Sequence, residues 1–181
     1  MARVQLLDVD QMSPDLRETF RKTEANGFEV LNLYRALAHS PDLCRQFMRL
    51  GNRILFRSKL DPKLRELAIL RVARLTKAGY ERVQHEAIAR RLGMPDAQIE
   101  AVKRWQGSRH FDPREQAVLH YTDELTEKVR AKNSVYKKLR AFMDEQEIVE
   151  LTLTIGFYGM VARFLEGLEV DLDEGKFLKQ E

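Results

Sequence analysis

Cys44 is the only cysteine in the 181 residues, which excludes an intrachain disulfide, a C-x-x-C redox pair and a cysteine-built zinc cluster. Gly-, Ser- or Pro-rich tracts, low-complexity segments and convincing internal repeats are also missing. Nothing marks a boundary between domains, so one domain over residues 1–181 is expected. Long hydrophobic runs are lacking too. The longest charge-free stretch, LTLTIGFYGMVA at 151–162, is bounded by Glu150 and Arg163, falls short of the ~20 residues of a membrane span, and reads as a buried helix. The N-terminal MARVQLLDVDQM has neither the apolar centre of a signal peptide nor the Arg/Ser-rich character of a transit peptide; a cytoplasmic location is expected. A dominant charge sign is absent: 31 basic residues face 28 acidic ones, for a net charge of +3. That balance permits a nucleic-acid partner without asking for one.

What the chain does have is helix punctuation. Ser13-Pro14, Ser40-Pro41, Asp61-Pro62 and Asp112-Pro113 each set an N-cap side chain before a proline at the first helical position, where the missing N–H costs nothing. Asp112 with Glu115 and Asp144 with Glu147 have capping-box spacing. Helices are predicted near 14–25, 30–39, 41–57, 62–77, 79–92, 95–105, 113–131, 134–143 and 145–168, and no segment carries strand alternation. The fold class is all-α, with short connections and antiparallel neighbours. The last helix has apolar residues on more than one side and is expected to be buried nearly all round, with Gly156 and Gly159 admitting another helix.

Polar residues interrupt this apolar pattern in RELAILRVARLTKAGYERVQHEAIAR, residues 65–90. At 100° per residue Glu81 and His85 share a stripe with Ile88 and Leu92, while Arg82, Glu86 and Arg90 form a separate charged face. Glu66 shares a stripe with Leu70 and Ala73. The bland alternative is a solvated i,i+4 ion pair at 81/85 and a solvated helix end at 66. The chemical reading is an acid–base site, in which a carboxylate one turn from an imidazole raises its pKa and makes it a proton donor. The spacing lacks the regularity of H-E-x-x-H, so a metal site is the minor option; no cofactor is expected.

The segment LDPKLRELAILRVARLTKAGYERVQHEAIARRLGMPDAQIEAV, residues 60–102, resembles the core of the carboxymuconolactone decarboxylase and alkylhydroperoxidase D superfamily. The likeness extends upstream through YRALAHSPDL and downstream to EIVELTLTIGFYGMVARFL. In the alkylhydroperoxidase branch the pattern is a glutamate, a C-x-x-C twelve residues on, and a histidine four residues after the second cysteine. Glu66 and His85 match the glutamate and histidine, but Ala78 and Glu81 stand at the cysteine positions, so the dithiol mechanism does not carry over, and an alkylhydroperoxidase-like antioxidant relative that has lost the C-x-x-C is the alternative the resemblance leaves open. The decarboxylase branch resembles E-x-x-x-H here, which Glu81 and His85 match. The resemblance thus implies an alkylhydroperoxidase D-like helical fold, trimers or hexamers, and a lyase-type reaction on a carboxylated or lactone small molecule. Glu81 and His85 would transfer protons and Glu66 would support them.

Arg71, Tyr80, Tyr158 and Arg163 are candidate substrate-binding residues, each with a bland alternative in ion pairing, core packing or helix-end solvation. Two readings from other classes stay open. One is a helical oligomer that binds a small acid without catalysis. The other is a helix-turn-helix in AIARRLGMPDAQIEAVKRW, residues 87–105, whose second helix would present Asp96 and Glu100 to phosphates and so oppose DNA binding.

Overall fold

The computed structural model describes residues 1–173. Among these residues no strand occurs, and the chain is all-α. It divides into two compact units: Met1–Arg53 with the described residues from Phe164 onward, and Ile54–Arg163.

In the first unit a 3-10 turn at Val9–Gln11 leads into α1 (Pro14–Ala25), followed by α2 (Asn32–Leu37) and most of α3 (Pro41–Arg57). Val9, Met12, Leu16, Phe20, Ala38 and Cys44 form its core. The Tyr34 ring lies 5.8 Å from that of Phe20 and 6.3 Å from that of Phe47. His39, near the end of α2, meets the Gln5 carbonyl through Nε2 at 2.8 Å, fastening the N-terminal segment. The expected cap at Ser13 does not form: its hydroxyl is buried with no hydrogen-bond partner. Pro14 alone, with its φ preset for helix, opens α1.

The second unit holds α4 (Pro62–Thr76), α5 (Gly79–Arg91), α6 (Asp96–Ala101), a 3-10 turn at Val102–Arg104, α7 (Pro113–Lys128), α8 (Asn133–Arg140) and α9 (Glu145–Gly167) as far as Arg163. The capping expected from sequence is present at three sites. Asp61 accepts from the N–H groups of Lys63 and Leu64. Asp112–Glu115 and Asp144–Glu147 close reciprocal boxes, with bonds of 2.8–3.0 Å.

α4 is the centre of this unit. Every residue from Leu64 to Ala73 is buried, and the helix packs against both α5 and α7. Burial on all sides explains why its sequence is nearly continuously apolar rather than amphipathic. Its end is set by Lys77, which adopts the left-handed conformation at φ 59°, and a two-residue connection turns the chain back so that α5 runs antiparallel to α4. On the α7 side, Arg71 forms a buried ion pair through Nε with Asp123 Oδ1. Its Nη1 donates to the carbonyls of Val102 and Lys103, both at 3.1 Å. Asp123 Oδ2 accepts from Trp105 Nε1 at 2.9 Å and Gln106 Nε2 at 3.1 Å. One carboxylate thus joins α4, the 3-10 turn and α7.

α9 departs from the expectation of burial nearly all round. Leu151, Ile155, Tyr158 and Ala162 are buried, but Val149, Leu153 and Met160 are 56%, 52% and 48% exposed. The glycines are not in close contact with another helix among the described residues: a Cβ at Gly156 would meet nothing within 4 Å, and at Gly159 only Arg163 Nη1 of the same helix. By length and composition α9 could cross a membrane, because the charges flanking 151–162 are sparse enough to leave an 18-residue apolar window; 56% of that window is buried in the fold.

Asp123→Ala should cost about 3–5 kcal/mol, because it strands a buried guanidinium, whereas Asp112→Ala should cost about 1 kcal/mol as an ordinary cap. Urea unfolding of both variants measures the contrast.

Candidate active site

Glu66 and His85 meet inside the α4–α5 pair. Nδ1 of His85 lies 2.6 Å from Oε2 of Glu66, nineteen residues away, and both are buried. Glu66 is fully buried because it sits one turn into α4, on a helix enclosed from every side. Arg65 Nε donates to the other carboxylate oxygen, Oε1, at 3.2 Å. A buried carboxylate is tolerated only with such partners, and here each oxygen has one.

Glu81 and His85 are 5% and 4% exposed, so the bland alternative of a solvated ion pair does not hold. The pairing differs from the sequence expectation as well. The direct partner of the imidazole is Glu66, whereas Glu81 Oε2 is buried without any hydrogen-bond partner. Burial pushes the Glu81 carboxyl up to about 7, the His85 charge lowers it, and the Glu66 charge raises it further. For His85, burial acts downward, but the charge and hydrogen bond of Glu66, aided by the Glu81 charge, hold its pKa above the ordinary histidine value; Arg65 pulls the other way. Ile88 and Leu92, expected as core on the same stripe, are half-buried.

The remaining candidates scatter. Tyr158 of α9 sets its ring edge-on to the His85 imidazole, with centroids 4.8 Å apart and planes at 87°. Tyr80 is buried beside Glu81. Arg71 is held by Asp123 and two carbonyls, and borders a cavity of about 390 Å3 that Arg74, Lys77, Arg82 and Lys103 also line. Arg163 is exposed and donates from Nη1 to Gly159 O at 2.6 Å, lining a different cavity of about 290 Å3 with Thr152, Ile155 and Gly156. The structure therefore brings Glu66, Glu81, His85 and Tyr158 together and leaves Arg71 and Arg163 in other settings. Arg65 was not legible as a member. Next to an apparently solvated helix start it reads as a surface residue, and its sequence gives no sign of burial.

Among the described residues no three His, Cys, Asp or Glu side chains are arranged to hold a metal ion. Cys44 is buried, and desolvation pushes its thiol up to about 11, so it stays un-ionised at neutral pH. The helix-turn-helix-like segment owes its spacing to packing. Ala89 and Ile99 are buried, Gly93 takes φ 76° after α5, and α6 is only six residues long. Its Asp96 and Glu100 are engaged by Arg90 at 2.6 Å and Arg74 at 2.9 Å.

The sequence model of the Carboxymuconolactone decarboxylase family matches residues 41–124, which contain Glu66, Glu81 and His85. That match covers 84 of the 181 residues, and over it the chain is similar to the carboxymuconolactone decarboxylase family. It is 26% identical over 100 residues to uncharacterized protein YdfG of Bacillus subtilis (strain 168), covering 54% of this chain and 68% of YdfG. It spans about two thirds of the length of its curated relatives. An uncharacterized peroxidase-related protein from Silicibacter sp. TM1040 superposes with a TM-score of 0.83 at 19% identity, covering 96% of this chain and 92% of that one. Debrominase Bmp8, as a Cys-to-Ala variant in complex with 2,3,4-tribromopyrrole, superposes at 0.80 with 20% identity, over 96% and 95% of the two chains. At these identities the structural likeness establishes the alkylhydroperoxidase D-like fold.

Stability should fall with rising pH through this site. Glu81 binds its proton more tightly folded than unfolded, so its contribution, roughly 3 kcal/mol for a rise from 4.5 to about 7, is present below pH 4.5 and lost as pH climbs through about 7. His85 acts in the same sense: its stabilisation is complete below 6.5 and disappears above its raised folded pKa. Glu81→Gln should flatten the pH dependence and gain on wild type between pH 5 and 8, while lowering the His85 pKa by removing a neighbouring negative charge. Urea titrations across pH and an NMR titration of His85 measure the two effects.

Proposed function

We propose that the chain is an enzyme using Glu81 and His85 for acid–base chemistry on a small carboxylated or lactone substrate, in the manner of a decarboxylase-type lyase. The observation that carries this is the Glu81 carboxyl. It is buried, has an unpartnered oxygen, and titrates near neutrality, as a proton donor and acceptor at physiological pH should. His85, held by Glu66 through Nδ1, supplies a second proton source whose orientation is preset. In a decarboxylation the bond to the carboxylate carbon breaks and carbon dioxide leaves. The electron pair passes into an adjacent carbonyl of the substrate, and Glu81 or His85 delivers a proton to the resulting enolate carbon. The substrate carries its own electron sink, and the protein positions the acid.

The likeness of residues 41–124 to the carboxymuconolactone decarboxylase family, and of the fold to a debrominase, supports catalysis. The peroxidase-related neighbour suggests the other branch, but with one cysteine the chain cannot form an intramolecular disulfide. A binder without catalysis would need no carboxyl poised near pH 7. With purified protein and a panel of lactone acids and β-keto acids, product formation should fall roughly a hundredfold or more in His85→Ala and Glu81→Gln if proton transfer limits the rate. Arg90→Ala, on the charged outer face, should change little. Turnover undiminished in His85→Ala would remove the imidazole from the chemistry, and absence of product across the panel would favour the binder.

A homo-oligomer is part of the same reading. Val149, Leu153 and Met160 stand exposed on α9, and Phe56 is 74% exposed on α3. A trimer or hexamer would follow the superfamily resemblance. Light scattering at micromolar concentration should give a multiple of 21.2 kDa, and Leu153→Lys should shift it toward the monomer.

A further inference from the structure

Two arginines of the second unit are more than nine-tenths buried, and they differ in what they leave unsatisfied. Arg71 spends Nε on Asp123 and Nη1 on two backbone carbonyls. Arg65, whose side chain is 7% exposed, spends only Nε, on Glu66 Oε1. Its two Nη groups donate to no described residue, yet they are not among the sealed orphan atoms of the interior, so they keep a narrow opening to solvent. A guanidinium end withdrawn from water without partners is costly, and its N–H groups form a fork that fits a carboxylate in two parallel hydrogen bonds.

The surrounding charge favours the same ligand. Glu66 is committed to His85 and Arg65, burial raises the Glu81 carboxyl toward its neutral form, and Glu66 holds the His85 pKa above the ordinary histidine value. Arg65 stands close enough to His85 for its charge to act on the imidazole. The charge balance of the cluster therefore favours an added anion on the Arg65 guanidinium, whose charge reaches His85.

We propose that the Nη fork of Arg65 binds the carboxylate of the substrate and so selects anionic over neutral molecules. This rests on the acid–base reading of Glu81 and His85, to which it adds the residue that holds the substrate. Arg71, the arginine that stands out in the sequence, is a structural tie between α4 and α7.

Benzoate and its neutral isostere benzamide serve as probes, followed in the full-length protein by NMR of the His85 ring. Wild type should show saturable shifts with benzoate and at least tenfold weaker binding of benzamide. Arg65→Gln should lose that preference, and Arg65→Lys, which keeps the charge without the fork, should fall between. In Arg65→Gln the His85 pKa should also rise, because a cation that lowers it has been removed; this reports on the local structure independently of binding. If Arg65→Gln does not fold, the Lys variant decides, since unaltered benzoate affinity there speaks against the fork. No saturable benzoate binding to wild type, equal affinity for benzamide, or full benzoate affinity in Arg65→Gln would each overturn the proposal. These results are separable from the catalytic reading. Charge-selective binding that needs Arg65 without turnover on the acid panel would sink only the enzyme, whereas turnover that needs His85 but not Arg65 would sink only the clamp.

Discussion

A carboxylate with no solvent exposure at all, Glu66, sits one turn into the most enclosed helix of the second unit, and much of the local arrangement follows from satisfying it. Its desolvation would be prohibitive alone, so each oxygen takes a cationic or cation-capable donor: Arg65 from the same helix and His85 from the antiparallel neighbour. The second bond sets the register of α5 against α4, because sliding the helices by a turn would separate the imidazole from its acceptor. That register in turn carries Glu81, one turn before His85, into the interior. There it meets a like charge on Glu66 and finds no hydrogen-bond partner for Oε2.

The unit contains two buried ionic clusters with opposite character. Around Asp123 both oxygens are occupied and Arg71 is bonded at two of its nitrogens, so the cluster acts as a junction of three elements. Around Glu66 the bonding is incomplete at the edges, at Glu81 Oε2 and at the Arg65 fork. A protein can afford unsatisfied buried groups where a ligand or a transferred proton completes them, and it avoids them elsewhere. The contrast within one helix, between Arg65 and Arg71 on different sides of α4, is the physical basis for locating chemistry at one cluster and architecture at the other. The superfamily resemblance agrees in one respect: Glu81 occupies a position where the peroxidase branch carries a cysteine, so a proton-exchanging group stands where a thiol would.

Helix limits were legible to within a few residues because local chemistry decides them. Proline at the first helical position, Asp61 and Asp112 as caps, and the Asp144–Glu147 box act over three or four residues and need no distant partner. Ser13 misled because a hydroxyl beside a good initiator need not bond. The outer face of α9 misled because apolar residues on several sides of a helix do not reveal which side another element covers. Val149, Leu153 and Met160 look no different in sequence from Leu151 and Ile155.

By itself the sequence determined the helical class, the lack of a second cysteine for an intramolecular disulfide, and the placing of Glu81 and His85 one turn apart, since all three depend on composition or on spacing within one helix. Only the tertiary structure decided that Glu66 rather than Glu81 holds the imidazole, that Arg71 is tied to a carboxylate fifty-two residues away, and that Arg65 lies within the charge cluster. These outcomes depend on which faces of α4 meet α5 and α7, and that choice is made by the burial of whole surfaces, which no short stretch of sequence encodes.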